Sequence, residues 1–129
     1  MINKYAEKYA EYLYLIFRVV IGIIFMLHGF MKMPGIFSGA TGISSLMFYA
    51  GLIEIIGGAL LVLGLFSRYV ALIGAIEMLV AFFTVHIAKG LNPLANGGEP
   101  AALFFAIFLV LLGWGPGKLS LDNMFKKKA

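Results

Sequence analysis

Four long apolar runs constrain the fold of this chain more than any other feature of its sequence. They cover about residues 12–31, 46–66, 69–88 and 100–114. A helix needs ~20 apolar residues to cross the ~30 Å hydrocarbon core of a bilayer, so three runs are long enough and the fourth needs its flanks. Of the 129 residues, 62% are hydrophobic and 12% are charged, whereas soluble domains carry about 25% charged residues. The sequence therefore predicts an all-α integral membrane protein, built as an antiparallel bundle of four transmembrane helices.

The regions around the apolar runs predict how the chain is divided and oriented. Residues 1–11 place Lys and Glu between apolar positions, which is typical of an interfacial helical segment or of a simple anchor for the first span. Residues 12–122 then form the four-helix transmembrane domain, and residues 123–129 form a basic cytoplasmic tail. The excess of Lys and Arg on the terminal side of the spans predicts cytoplasmic N- and C-termini in the plasma membrane. Two longer loops, residues 33–45 and 89–98, are expected on the outer side.

The net charge and the lack of cysteine exclude several classes of function. The formal charge of +4 comes largely from Lys126, Lys127 and Lys128, which suits an anionic membrane surface better than nucleic acid. The chain has no cysteine, so we expect no disulfide, no iron–sulfur cluster and no covalently attached haem. Its sequence also lacks a phosphate-binding loop, a nucleophile elbow and a dinucleotide fingerprint. A redox role would therefore need another cofactor and an electron source outside this chain.

Three basic side chains lie in or directly after the first apolar run. A charge at bilayer depth costs several kcal/mol unless it faces protein or water. On an ideal helix the basic residues share one face with two glycines. This face consists of Arg18, Gly22, Gly29 and Lys32, which span roughly 80°, and of His28, which widens the arc to about 120°. We expect the face to point into the bundle.

Two carboxylates lie within the second and third runs. Glu54 shares a helix face with Gly51 and Gly58 and lies ~10 Å below the outer interface by helical rise. An unpaired charge at that depth is expensive, so Glu54 needs a cation, a proton or a ligand. Glu77 lies near the middle of the third run, at a depth similar to that of Arg18. The similar depths therefore allow a buried ion pair between Arg18 and Glu77. Such a pair would hold helices together rather than take part in a reaction.

Six polar side chains are expected in the outer half of the membrane or at its rim: His28, Lys32, Glu54, His86, Asn96 and Glu99. Such a set suits proton transfer, because His titrates near neutrality and neighbouring charges tune carboxylates. It equally suits a self-neutralising packing core, and for Glu99, directly before Pro100, helix capping alone is an alternative. Haem ligation by the two histidines and a His–carboxylate metal site have no supporting ligand spacing, and we expect neither.

Several short motifs together resemble the DoxX family of small four-helix membrane proteins. They are Arg18 followed by His28-Gly-x-x-Lys32, Glu54 amid glycines before Leu63-Gly-Leu-Phe-Ser-Arg68, Val85-His86, Asn96-Gly-Gly-Glu99, and the run from Gly115 to Asp122. The likeness covers about residues 16–122. It implies shared polar positions at Arg18, His28, Lys32, Glu54, His86 and Glu99, whereas Glu77 lies outside the family pattern. It also implies a relation to the DoxD subunit of archaeal thiosulfate:quinone oxidoreductase and to quinone handling or membrane-associated oxidoreductase complexes.

The resemblance and the polar set lead to the hypothesis of a membrane subunit that binds and reduces a quinone. Glu54, His28 and Lys32 would be catalytic, with Lys32 or His28 bonding a carbonyl and Glu54 or Glu99 relaying the proton. The ligand-binding residues would be Arg18, His86, Asn96 and Glu99. Electrons would come from a redox partner subunit, and the glycine-rich helix faces would suit a homo-oligomer. Two alternatives stay open, a non-catalytic membrane scaffold for an oxidoreductase partner and a conduit for a small solute or protons.

Overall fold

The computed structural model describes residues 1–33 and 45–129, and all regular structure within those ranges is helical. The helices are α1 (Ile2–Met31), α2 (Ser45–Leu63), α3 (Ser67–Ala81), α4 (Pro93–Asn96), α5 (Glu99–Trp114) and α6 (Leu121–Lys128). A π-helical turn, Phe82–His86, and a 3₁₀ turn, Ile87–Lys89, continue α3. The outer loop predicted at residues 33–45 lies almost wholly outside the described residues.

Three helical segments among the described residues are long and apolar enough to cross a membrane. They are Ile2–Met31, Leu46–Leu63 and Ser67–Lys89, while Glu99–Trp114 is apolar but shorter. The all-helical membrane class predicted from the sequence is thereby confirmed, as is the shortness of the fourth apolar segment. Residues 2–11 are helical and continuous with the first span, because the chain has no Pro or Gly before Gly22 and α1 also continues through that glycine to Met31.

The described chain forms two compact units, Met1–Ser67 with Pro116–Ala129 and Arg68–Gly115. In the first unit α1 and α2 pack against each other through glycines. A Cβ atom on Gly58 would lie 2.5 Å from the carbonyl oxygen of Gly22, and one on Gly29 would lie 2.6 Å from the carbonyl oxygen of Gly51. The contact positions advance along α1 as they retreat along α2, so the helices are antiparallel. Only residues without a side chain allow so close an approach.

The second unit contains another antiparallel pair, α3 with its π-helical turn and α5. Gly74 lies against the ring of Phe108, and Phe82 lies against Gly98 at the other end of the pair. At the end of the pair where α3 begins and α5 ends, Arg68 donates hydrogen bonds to the carbonyl oxygens of Leu112, at 2.7 Å, and Gly113, at 3.2 Å. These contacts cap the C-terminus of α5 with a cation, where the carbonyl groups of a helix favour positive charge.

The C-terminal region folds back onto the end of α2 in the first unit. The Asp122 amide donates to the carbonyl oxygen of Gly64 at 2.9 Å. The Asp122 carboxylate accepts hydrogen bonds from the amides of Phe66, at 2.8 Å, and Ser67, at 2.9 Å, at the start of α3. A carboxylate at a helix N-terminus satisfies otherwise unpaired amides and complements the helix dipole. Asp122 therefore fixes both the turn after α2 and the start of α3.

Candidate functional site

An ion pair joins the C-terminal end of α1 to the N-terminal half of α2. The Lys32 Nζ atom lies 2.6 Å from Glu54 Oε1 and 2.5 Å from Glu54 Oε2. The Glu54 side chain is 2% exposed and that of Lys32 is 23% exposed. A buried carboxylate with a bidentate cationic partner is stable as a pair, whereas removing one partner of such a pair costs about 3–5 kcal/mol. Glu54 was expected to need a cation, a proton or a ligand, and the structure supplies a cation, Lys32.

Close helix packing brings the two charges together. Lys32 is the C-cap residue of α1, and its amide donates to the carbonyl oxygen of Gly29 at 3.0 Å. Its Cβ atom lies 3.1 Å from the position that a Cβ atom on Gly51 would occupy. Because Gly51 is one helical turn before Glu54, this contact sets the lysine stem directly beside the carboxylate. Gly29 and Gly51 thus have a positional role in the site.

His28 adds a third titratable group to the pair. It lies one helical turn before Lys32 on α1, is half-buried, and interacts electrostatically with the Glu54 carboxylate. We call His28, Lys32 and Glu54 the charged triplet. A carboxylate, an ammonium and an imidazole within one apolar unit are able to hold a proton, to donate hydrogen bonds and to exchange protons with a ligand.

Arg18, the third basic position predicted on this face, lies elsewhere in the first unit. It is 1% exposed, and it precedes Lys32 by fourteen residues, which corresponds to ~21 Å along the helix. Its guanidinium donates to three backbone carbonyls: Nε to Leu61 at 2.9 Å, Nη2 to Leu119 at 2.9 Å, and Nη1 to Pro116. Arg18 therefore connects α1 to the end of α2 and to the C-terminal region by hydrogen bonds. The ion pair with Glu77 stays a prediction, because Glu77 belongs to the other unit.

The remaining predicted positions lie in the second unit. His86 Nδ1 lies 3.2 Å from the carbonyl oxygen of Asn96, which accepts but does not donate, so Nδ1 carries the proton. The Asn96 side chain donates to the carbonyl oxygen of Gly90 at 2.8 Å and accepts from the amide of Gly98 at 2.7 Å. Asn96 therefore organises the turn between the π-helical segment and α5. Glu99 is the exposed first residue of α5.

The six polar side chains expected at one depth are thus divided between the units. His28, Lys32 and Glu54 meet in the first unit, and His86 and Asn96 meet in the second. Across the described ranges, residues 1–33 and 45–129, no group of three His, Asp or Glu side chains is close enough to hold a metal ion. Among the described residues, the charged triplet combines a carboxylate, an ammonium and an imidazole in one place.

The hydrogen bonds that Arg18 and Asp122 make with backbone groups were not predicted from the sequence. The residues from Gly115 to Asp122 were assigned no contacts from the sequence, yet they supply two acceptors for Arg18 and the Asp122 cap. Backbone acceptors have no side-chain pattern, so composition and spacing do not identify them. The available signal was the string from Gly115 to Asp122, which contributed to the family resemblance without a stated role.

Comparison with known proteins gives a consistent family. The sequence model of the DoxX family matches residues 13–87. A Haemophilus influenzae protein named "Uncharacterized protein" is 42% identical over 95% of this chain and 97% of its own length. The Bacillus subtilis "Putative oxidoreductase CatD" is 39% identical over 88% of each chain. The Mycobacterium tuberculosis "Uncharacterized membrane protein Rv3486" is 29% identical over 87% of this chain and 80% of its own length.

No solved structure matches the chain. The family match nevertheless covers more than half of the sequence, and a relative is 42% identical along nearly all of it. The long apolar helices agree with a membrane-protein family. This chain therefore belongs to the DoxX family of membrane proteins.

Proposed function

We propose that this chain is a membrane subunit of a redox system and that its charged triplet binds a quinone. The observation that carries the proposal is the bidentate Lys32–Glu54 pair, in which the carboxylate is 2% exposed and the lysine 23% exposed. An ammonium group has three N–H donors, one more than the two carboxylate oxygens require. Lys32 therefore has both the donor capacity and the partial access that a ligand carbonyl needs.

The three side chains suit the protonation chemistry of a quinone site. Reduction of a quinone to a quinol takes two electrons and two protons, and the ligand supplies the electron-accepting chemistry itself. Lys32 would donate a hydrogen bond to a carbonyl oxygen and stabilise negative charge that develops there. Glu54 and His28 would hold and pass on protons, because a carboxylate and an imidazole both exchange protons with a ligand and these two groups interact electrostatically. The electrons would come from a partner subunit, since the chain has no cysteine to ligate an iron–sulfur cluster.

The family context supports a redox role. The relative from Bacillus subtilis carries the name "Putative oxidoreductase CatD", and the match covers 88% of each chain. In this proposal the three span-length segments and the shorter α5 form four antiparallel spans. Both termini are cytoplasmic in the plasma membrane, because Lys4, Lys8 and Lys126 to Lys128 concentrate positive charge on that side.

Extraction of bound organic molecules tests the proposal. The purified chain in mild detergent should carry quinone, quantified by mass spectrometry as moles of quinone per mole of protein. Glu54→Gln and His28→Ala should each lower that ratio while the protein stays folded. Glu11→Gln is the matched control, because Glu11 forms an exposed ion pair in the same unit, 3.8 Å from Lys118. Wild-type protein that carries lipids alone and takes up no added quinone would refute the proposal.

A scaffold function has one observation in its favour. The Lys32–Glu54 pair neutralises itself, and charges that pair fully within the protein also act as packing contacts between helices. On that account Glu54→Gln changes the stability of the protein and leaves the content of bound organic molecules unchanged. The extraction experiment separates the two functions, because only a ligand site links the substitution to a loss of ligand.

A further inference from the structure

The C-terminal helix α6 is fixed at its start and free at its end. Ser120 is the N-cap residue, and its hydroxyl oxygen accepts from the amide of Asn123 at 3.2 Å. The Asn123 side chain donates to the carbonyl oxygen of Lys118 at 2.8 Å, and Asp122 is bonded to the turn after α2. Every residue from 124 to 129 is exposed. The chain therefore holds α6 in a defined place and exposes its last turn.

The exposed part of α6 is amphipathic. Met124 is 53% exposed and Phe125 is 55% exposed. On a helical projection these two residues lie with Leu121 and Lys128 within an arc of about 100°, while Lys126 and Lys127 flank the arc on either side. Two adjacent exposed apolar side chains bordered by lysines are typical of a helix that lies in a membrane interface.

The fixed start of α6 is at the end of a span. The amide of Asp122 is bonded to Gly64, the residue that follows α2, and α2 contains the apolar segment Leu46–Leu63. The first residues of α6 are therefore at the level where the chain leaves the hydrocarbon core. A short helix at that level has the headgroup region of the bilayer within reach.

We propose that α6 is an interfacial helix that binds anionic phospholipid headgroups through Lys126, Lys127 and Lys128 while Met124 and Phe125 enter the acyl boundary. Charge complementarity favours this occupant, because three adjacent exposed lysines meet the negative surface of an anionic leaflet. The two apolar side chains favour a lipid surface over a soluble acidic partner, because they gain by leaving water only where an apolar phase is present. This binding surface is independent of the charged triplet.

The lack of cysteine allows a direct test on the full chain. A single cysteine introduced by Met124→Cys carries an environment-sensitive dye. The labelled chain is reconstituted in vesicles of phosphatidylcholine alone and in vesicles of equal parts phosphatidylcholine and phosphatidylglycerol. Spin-labelled lipids then report the access of the dye to the acyl region. We expect severalfold stronger quenching in the anionic vesicles, reversed by high salt. Ala129→Cys provides a second labelling position if the first disturbs the helix.

The lysines are tested by combining the label with K126Q, K127Q and K128Q. Three lysines near an anionic surface strengthen binding about a hundredfold, so the triple variant should give the same weak quenching in both kinds of vesicle. Lys118→Gln is the matched control, because Lys118 is 78% exposed, lies at the same end of the unit and is outside α6. If the dye on the labelled chain with all three lysines is quenched equally in both vesicle types, whether strongly or weakly, the proposal is overturned. A soluble protein partner that protects the dye without lipid would overturn it as well.

Discussion

Substitution of Arg18 by lysine tests how the first unit is held together. The guanidinium serves three carbonyl acceptors, on Leu61, Pro116 and Leu119, from three different nitrogen atoms. A lysine ammonium is a single point and retains about one of these bonds. Hydrogen bonds from charged donors contribute about 1.5–3 kcal/mol each, and water replaces part of this at the two part-buried acceptors. We therefore expect Arg18→Lys to lower the free energy of unfolding by about 3 kcal/mol.

The assay is unfolding in mixed micelles with increasing SDS, followed by circular dichroism. Arg68→Lys is the matched control, because Arg68 also donates to two helix-terminal carbonyls but is exposed. Water replaces those bonds readily, so we expect a loss of less than about 1 kcal/mol. The reasoning is refuted if the two variants lose equal stability, or if Arg18→Lys unfolds at the wild-type midpoint.

The remaining predictions concern packing, capping and the ion pair, and all are measured by the same unfolding assay. Gly58→Ala places a Cβ atom 2.5 Å from an α1 carbonyl oxygen and should lower the free energy of unfolding by about 1–3 kcal/mol. Gly113→Ala has no atom within 4 Å of the new Cβ, so it should raise the free energy of unfolding by up to about 1 kcal/mol. Asp122→Ala removes both N-terminal hydrogen bonds of α3 and should cost about 1–2 kcal/mol, with Asp122→Asn between it and the wild type. Glu54→Gln leaves Lys32 without its carboxylate and should lower the free energy of unfolding by about 3 kcal/mol, the lower end of the range for a broken buried pair because the lysine is part-exposed. Glu11→Gln, in an exposed pair, should lower it by less than about 0.5 kcal/mol.

Much of the first unit was predictable because hydrophobicity and helical periodicity determine it. The apolar runs predicted the membrane class, and the common face of Arg18, Gly22 and Gly29 is indeed buried along α1. Glu54 was expected to need a cation, a proton or a ligand, and the depth ranking placed it in one set with Lys32, which is its partner in the structure. These inferences rest on the high cost of an unpaired charge in an apolar environment, which the sequence alone makes visible.

Other features depend on backbone geometry and were not predictable from the pattern. Helical rise gave the depth of Arg18 but not its partners, because its acceptors are carbonyl groups that any residue supplies. The π-helical turn at Phe82–His86 changes the rotation per residue, so the position of His86 relative to Glu77 does not follow from an ideal helix. Depth ranking also placed His86 and Glu54 together, whereas depth carries no information on which helices form a unit.

The central claim, that the Lys32–Glu54 pair binds a quinone, is tested most directly by a binding titration. A short-chain quinone is added to the purified chain in quinone-free lipid nanodiscs, for the wild type and for the charge-swapped variant K32E/E54K. The swap keeps an ion pair for packing but moves the ammonium donor from the part-exposed position to the buried one. We predict saturable binding to the wild type and binding about tenfold weaker or more to the folded variant, because one charged hydrogen bond is lost. Equal affinity of the two proteins, or no saturable binding to the wild type, would contradict the claim.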